Sequence, residues 1–258
     1  MAKEIELSTL RHSTAHVMAE AVLEMFPDAQ IAIGPAIENG FYYDFDLPRP
    51  LTDADLETIT KNMRKIINSG KEFVRKEVTR EEAREIFKDQ KYKLELLDAI
   101  PEGETVTTYT QGGFTDLCRG PHVDSTKDLC ADGFKLLSIA GAYWRGNEKN
   151  KMLTRIYATA WASKEDLRAY MDHLADIEKR DHRKLGKELD LFSLHEEAGP
   201  GLVYWHPRGA RIRQTIEQFW REEHYKNGYE MVYTPHVGKS WLWETSGHLG
   251  FYKDSMYP

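Results

Sequence analysis

An α+β fold, with helices and antiparallel sheet in separate stretches of chain, is the class this sequence predicts. Helical periods flank a short Gly-punctuated, β-prone run up to Gly70. Between Thr105 and Trp161, Gly-rich turns separate runs of β-branched and aromatic residues, which is a sheet pattern. Beyond Ser163 the pattern returns to helix and stays highly charged.

The elements follow in order. After Leu10, Ala15, Met18, Ala21, Val22 and Met25 recur at helical spacing, and Pro27-Asp28 ends the run. On such a helix His12 and His16 share a face away from the centre of the apolar stripe, which turns them from the main core. "AQIAIGPAIENGFYYDFDL" reads as two short strands around a turn at Glu38, Asn39 and Gly40. A capping box at Thr52 and Asp55 opens a helix carrying Leu56, Ile59, Met63, Ile66 and Ile67, which Gly70 closes. Thr79 and Glu82 repeat the capping signal.

Ser163 and Asp166 cap a further helix with Leu167, Tyr170, Met171, Leu174 and Ile177 on one face. Its continuation, "EKRDHRKLGKELD", reads as a solvated helix joining two domains. After Asp190 the character changes. "PRGARIRQTIEQFWREEHYKNG" is an amphipathic helix with Pro near its start and Gly past its end. "YEMVYTPHV" reads as a strand broken by Pro235, and the chain ends at Pro258 with no closing element, as a cut core would.

Composition narrows the function classes. The 258 residues are 41% hydrophobic and 30% charged with a net charge of -7, so no broad cationic surface advertises nucleic acid. Two cysteines, Cys118 and Cys130, fit a reducing cytosol rather than a disulfide framework, and Cys130 reads as a small core residue. The polar N-terminus is no signal peptide, and no apolar run spans a membrane, which points to a cytoplasmic protein.

Chemistry concentrates in two remote segments. "RHSTAH" supplies His12 and His16, and "DLCRGPH" supplies Cys118 and His122, each pair four apart. Three imidazoles and a thiol could hold zinc tetrahedrally, although the spacing is neither that of a zinc finger nor that of the metalloprotease helix.

Together, "RHSTAH", "AIGPAIENGFYYDFD", "YKLELL", "TDLCRGPHV", "AGAYWRGNEKNKMLTRIYATAW" and "KRDHRKLGKELDLF" resemble bacterial threonyl-tRNA synthetases, in that order and without a large gap. "RHSTAH" alone is shared with alanyl-tRNA synthetases and alanyl editing proteins; the run through "LCRGPH" and "AGAYWRG" is specific. The resemblance implies an editing domain over residues 1–162, a linker helix over 163–190, and the start of a class II catalytic core over 191–258. In that core the helix at 207–226 and the strand ending at Pro235 resemble the first class motif, which forms the dimer interface in the family. It further implies that the second and third motifs with their ATP-holding arginines, the threonine-selecting zinc site and the anticodon-binding domain lie beyond Pro258. By the same resemblance, the small ubiquitin-like domain that precedes "RHSTAH" in most members is expected to be missing from this chain. A fragment of this kind cannot make threonyl adenylate but can edit, hydrolysing serine wrongly esterified to threonine tRNA.

By resemblance His12 positions or deprotonates the attacking water, and Lys93 holds the water or protonates the ribose oxygen. Asp116 binds the substrate's α-amino group, Tyr43 lines the pocket, and Cys118, His16 and His122 complete its wall. The alanyl relatives bind zinc with the same four positions, whereas threonyl editing domains work without it, so no cofactor is expected for editing. Arg119, Tyr143, Trp144 and Arg145 are candidates to grip the single-stranded acceptor end of the tRNA, weakly and with strong salt dependence. A metal-dependent hydrolase or alanyl-type editor, and a dimerising or tRNA-docking fragment without turnover, are the competing expectations. Exposed apolar surface is expected around Trp220, Trp241 and Trp243.

Overall fold

A computed structural model describes residues 5–253 and 256. The chain divides into two compact units, Met1–Asp176 and Ile177–Pro258. The first is α+β with antiparallel sheets, as expected. It runs α1 (Leu7–Met25), β1 (Gln30–Ile31), β2 (Ala36–Ile37), β3 (Gly40–Asp46), α2 (Asp53–Ser69), β4 (Phe73–Val78), α3 (Arg80–Ile86) and α4 (Lys91–Asp98). Then follow β5 (Val106–Gln111), β6 (Phe114–Leu117), β7 (Phe134–Tyr143), β8 (Met152–Ala160) and α5 (Lys164–Lys179), the last running into the second unit.

One sheet has the order β1-β3-β8-β7 with β2 also on β3, and a second has the order β4-β5-β6. The core lies where α1 meets β3 and α2: Met18 and Val22 pack with Phe41, Phe45, Ile59, Met63 and Ile156, all essentially inaccessible. Burying each such side chain is worth about 1.5–3 kcal/mol. The capping boxes at Thr52 and Thr79 form as read, and Ser163 accepts from the Asp166 amide at 3.0 Å. Gly70 closes α2 in the left-handed conformation.

Several expectations need correction. Rather than showing one face, α1 is buried continuously from Leu10 to Val22 apart from His12, so His16 lies inside the core instead of turned from it. Its charged residues are satisfied at a distance: Arg11 donates to the carbonyls of Ala160 (3.3 Å) and Glu38 (2.5 Å). The sequence reading omitted β4 and α4, and residues 118–133 form loops and a short 3-10 turn within the region expected to be mainly sheet. Cys130 is half-buried at a turn, not in the core.

The second unit holds α6 (His182–Glu188), β9 (Phe192–Leu194), β10 (Val203–Trp205), α7 (Pro207–Lys226), α8 (Trp241–Thr245) and α9 (His248–Phe251). Pro207 is the first residue of α7, as its fixed φ and missing N–H favour. The charged helix is not continuous. It stops after Lys179, and Asp181 caps α6 by accepting from the Arg183 amide at 2.7 Å. "YEMVYTPHV" is not a strand: its β-prone residues have no ladder partner among the described residues, and Val232 and Tyr233 are largely exposed. Trp220 and Trp241 are exposed as expected, while Trp243 is half-buried. No described helix is long and apolar enough to cross a membrane.

Candidate functional site

Two turns of α1 and the loop after β6 build the centre of the site. The spacing of His12 and His16 sets their rings one above the other, with centroids 5.2 Å apart. On the other side, β5 and β6 pair Tyr109 with Asp116 and carry the chain to Cys118, whose amide donates to Thr107 O at 3.1 Å. Gly120 then turns the loop at φ +73; a Cβ there would sit 2.4 Å from the Tyr109 hydroxyl, so only glycine fits. The turn delivers His122 to the cluster.

Cys118 Sγ lies 3.3 Å from both His12 Nε2 and His122 Nε2 and accepts the Gly120 amide at 3.2 Å. With His16, the ligand atoms of these four residues all fall within 4.8 Å of one another. Phe73 from β4 stacks on the His122 ring at 5.0 Å, and Tyr109 contacts it at 4.5 Å. Neither aromatic was singled out in the sequence; the strand that presents Phe73 was itself unread.

Behind this cluster is a buried polar trio. Lys93 from α4 forms an ion pair with Asp116, and both are almost wholly buried. The Tyr43 hydroxyl donates to Asp116 Oδ2 at 2.5 Å and accepts from Lys93 Nζ at 3.1 Å, and His16 Nε2 is 3.5 Å from the same carboxylate. A substrate ammonium reaching Asp116 therefore has to displace contacts already made. Gly34 permits this seat, because a Cβ there would come within 2.0 Å of the Tyr43 ring.

Burial sets the protonation states. Desolvation lowers the pKa of His12 against the opposing pull of Asp116, and lowers those of His16 and His122 further, where neighbouring imidazoles add to the effect. All three rings are neutral at pH 7. Desolvation also pushes the Cys118 thiol up to about 12, and Tyr43 well above its ordinary value. His12 faces an open depression of about 320 Å³ shared with Ser8, Thr9, Pro35, Ala36, Gly120 and Pro121.

The structure thus gathers the seven residues that the sequence placed around the pocket, but not Arg119. The Arg119 guanidinium turns outward, largely exposed, to pair with Glu104. Of the proposed RNA contacts, Trp144 is buried, edge-on to Tyr92 at 5.0 Å, and donates to Glu95 at 2.7 Å, a core role. Tyr143 remains exposed, and Arg145 donates to the Glu95 carbonyl.

Residues 106–157 match the family described as threonyl and alanyl tRNA synthetase second additional domain. Over 255 residues, 99% of its length, the chain is 58% identical to a threonine–tRNA ligase of Borrelia turicatae. It is 57% identical over the same length to those of Borrelia hermsii and Borreliella burgdorferi. The chain spans 44% of the length of these relatives.

Proposed function

Since this sequence is that of the threonyl-tRNA synthetase family along 99% of its length, we propose that its first unit hydrolyses serine wrongly esterified to threonine tRNA. The observation that carries this reading is the placement of neutral His12 at the rim of a depression, with Cys118 and His122 beside it and the Lys93–Asp116–Tyr43 trio behind. Ester hydrolysis needs an activated water, a stabiliser for the developing oxyanion and a proton for the departing ribose oxygen. His12, held neutral, takes the water's proton; the Lys93 ammonium supplies positive charge and a proton donor; Asp116 receives the substrate's α-amino group as Lys93 yields it. The thiol of Cys118 keeps its proton and serves as a wall and hydrogen-bond partner, not as a nucleophile.

The physical need for such a site is an arithmetic one. A pocket that recognises threonine by its hydroxyl gains only about 1–3 kcal/mol from the extra methyl, roughly 10- to 200-fold over serine. A second pocket that admits serine and excludes threonine by bulk supplies the remaining discrimination. The experiment is to follow loss of seryl and threonyl esters from threonine tRNA: fast loss of the seryl ester alone is expected, and equal slow loss of both overturns the reading.

The wider organisation we propose is an editing domain over 1–162, a linker over 163–190 and the start of a class II core over 191–258, with α7 at a homodimer interface. The partners are the tRNA acceptor end and the remainder of the synthetase, and the whole protein ligates threonine to its tRNA with ATP in the cytoplasm.

A second reading rests on a specific observation. Four ligand atoms within 4.8 Å, three of them nitrogens of neutral imidazoles, fit a zinc ion, and buried His16 Nδ1 has no hydrogen-bond partner among the described residues. His12, His16, Cys118 and His122 would hold it, and zinc there would polarise an ester carbonyl or acidify a bound water. Stoichiometric zinc in the purified protein, with hydrolysis lost on chelation, favours this alternative.

A further inference from the structure

Ser13 lies between the two α1 histidines, fully buried, and its hydroxyl has three polar neighbours. Oγ is 2.9 Å from the Thr9 carbonyl, 3.0 Å from the Val123 amide nitrogen and 3.0 Å from His122 Nδ1. A serine hydroxyl has one proton to give and two lone pairs to offer.

Two of the three roles are fixed by chemistry. The Val123 amide can only donate, so it occupies one lone pair. The Thr9 carbonyl can only accept, so it takes the hydroxyl proton. What remains for His122 is the second lone pair, which calls for an N–H on Nδ1. The reverse arrangement, with Ser13 donating to His122, would leave two oxygen lone pairs facing each other at 2.9 Å with no hydrogen between them. A neutral imidazole carries a single N–H, so a proton on Nδ1 leaves Nε2 bare.

We propose that Ser13 is a positioning residue that locks neutral His122 in its Nδ1–H tautomer and aims the bare Nε2 lone pair at Cys118 Sγ, 3.3 Å away. The Cys118 S–H then has a defined acceptor, and the sulfur keeps a fixed orientation beside His12. Val123 and His122 are consecutive, so one hydroxyl anchors both the loop backbone and the ring that the loop carries. The tautomer stands on hydrogen-bond accounting alone; its effect on ester hydrolysis rests on the function proposed above.

The test uses the full chain with 15N-labelled histidine at pH 7.5, where long-range proton–nitrogen correlation separates protonated from bare ring nitrogens. Loss of one ring system in His122→Gln assigns the signals. The expected wild-type pattern for His122 is a protonated Nδ1 and an unprotonated Nε2; the opposite pattern overturns the proposal even if Ser13→Ala does not fold. In Ser13→Ala the pattern should change to a mixture or to Nε2–H, and seryl-ester kcat should fall roughly 10- to 100-fold, the range seen when the hydrogen-bond partner that orients a ligating histidine is removed. An unchanged tautomer, or a changed tautomer with unchanged turnover, refutes the positioning role. A wild-type protein that shows the expected tautomer but hydrolyses neither ester leaves the tautomer standing and removes the proposed function instead.

Discussion

Lowering the pH from 7 to 5 should destabilise the first unit through His16, by an amount that follows from where that ring sits. His16 is 2% exposed, and burial, with help from His12 and Lys93, holds its pKa well below the ordinary value. The folded chain therefore refuses a proton that the unfolded chain accepts below about pH 6.5. Stability from this group is complete above that value and is lost as pH falls through it. For a ring that stays neutral when folded, the loss at pH 5 relative to pH 7 is about 2 kcal/mol, from RT ln(1 + 10^(6.5 − pH)). That is a sizeable part of the ~5–15 kcal/mol that holds a domain together. His12 and His122 are shifted the same way and act with the same sign. Comparing wild type with His16→Gln isolates the term, since glutamine does not titrate. Amide exchange of α1 with a chelator present reads the stability of the unit that holds the site. Wild type should lose about 2 kcal/mol more protection than the variant between the two pH values. Equal losses in the two proteins would refute the idea that His16 is kept neutral by burial.

Tyr43→Phe removes a hydroxyl that Asp116 and Lys93 share, so a buried carboxylate loses a donor; a destabilisation of about 1–3 kcal/mol in urea melts is expected, with slower seryl-ester loss. Gly34→Ala drives a Cβ into the Tyr43 ring, and about 1–3 kcal/mol of overpacking should appear as a lower melting temperature together with loss of hydrolysis. Arg119→Ala should leave seryl-ester kcat/KM within about twofold, because the side chain pairs with Glu104 outside the cluster and exposed pairs contribute little. Under the metal-free mechanism, dialysis against chelator leaves the hydrolysis rate unchanged, and elemental analysis finds less than one zinc per chain.

What could be read from the residues was what local chemistry decides. The boxes at Thr52 and Thr79 cap helices because both partners lie three residues apart, and Pro207 opens α7 for an equally local reason. The α1 face was misread because its polar residues find partners far away: Arg11 at Ala160, and Glu20 at Lys71 and Gln111. Lys93 reads as one of several solvated lysines beside Lys88 and Lys91, and only the fold shows its Nζ sealed against Asp116 and Tyr43. The histidine and cysteine pairs stood out through residue type and spacing, yet their convergence is a tertiary event, and so is the outward turn of Arg119. "YEMVYTPHV" carries β-prone side chains, but propensity without a neighbouring strand makes no ladder.

The centre joins His12 to Cys118 across 106 positions of chain, so it cannot form until all of them have been made. A ribosome that has released α1 has made half of a cluster with nothing to face it. Until β6 and the loop bearing Cys118 and His122 emerge, His12 lacks its thiol neighbour and the buried Ser13 and His16 lack His122, Val123 and Asp116.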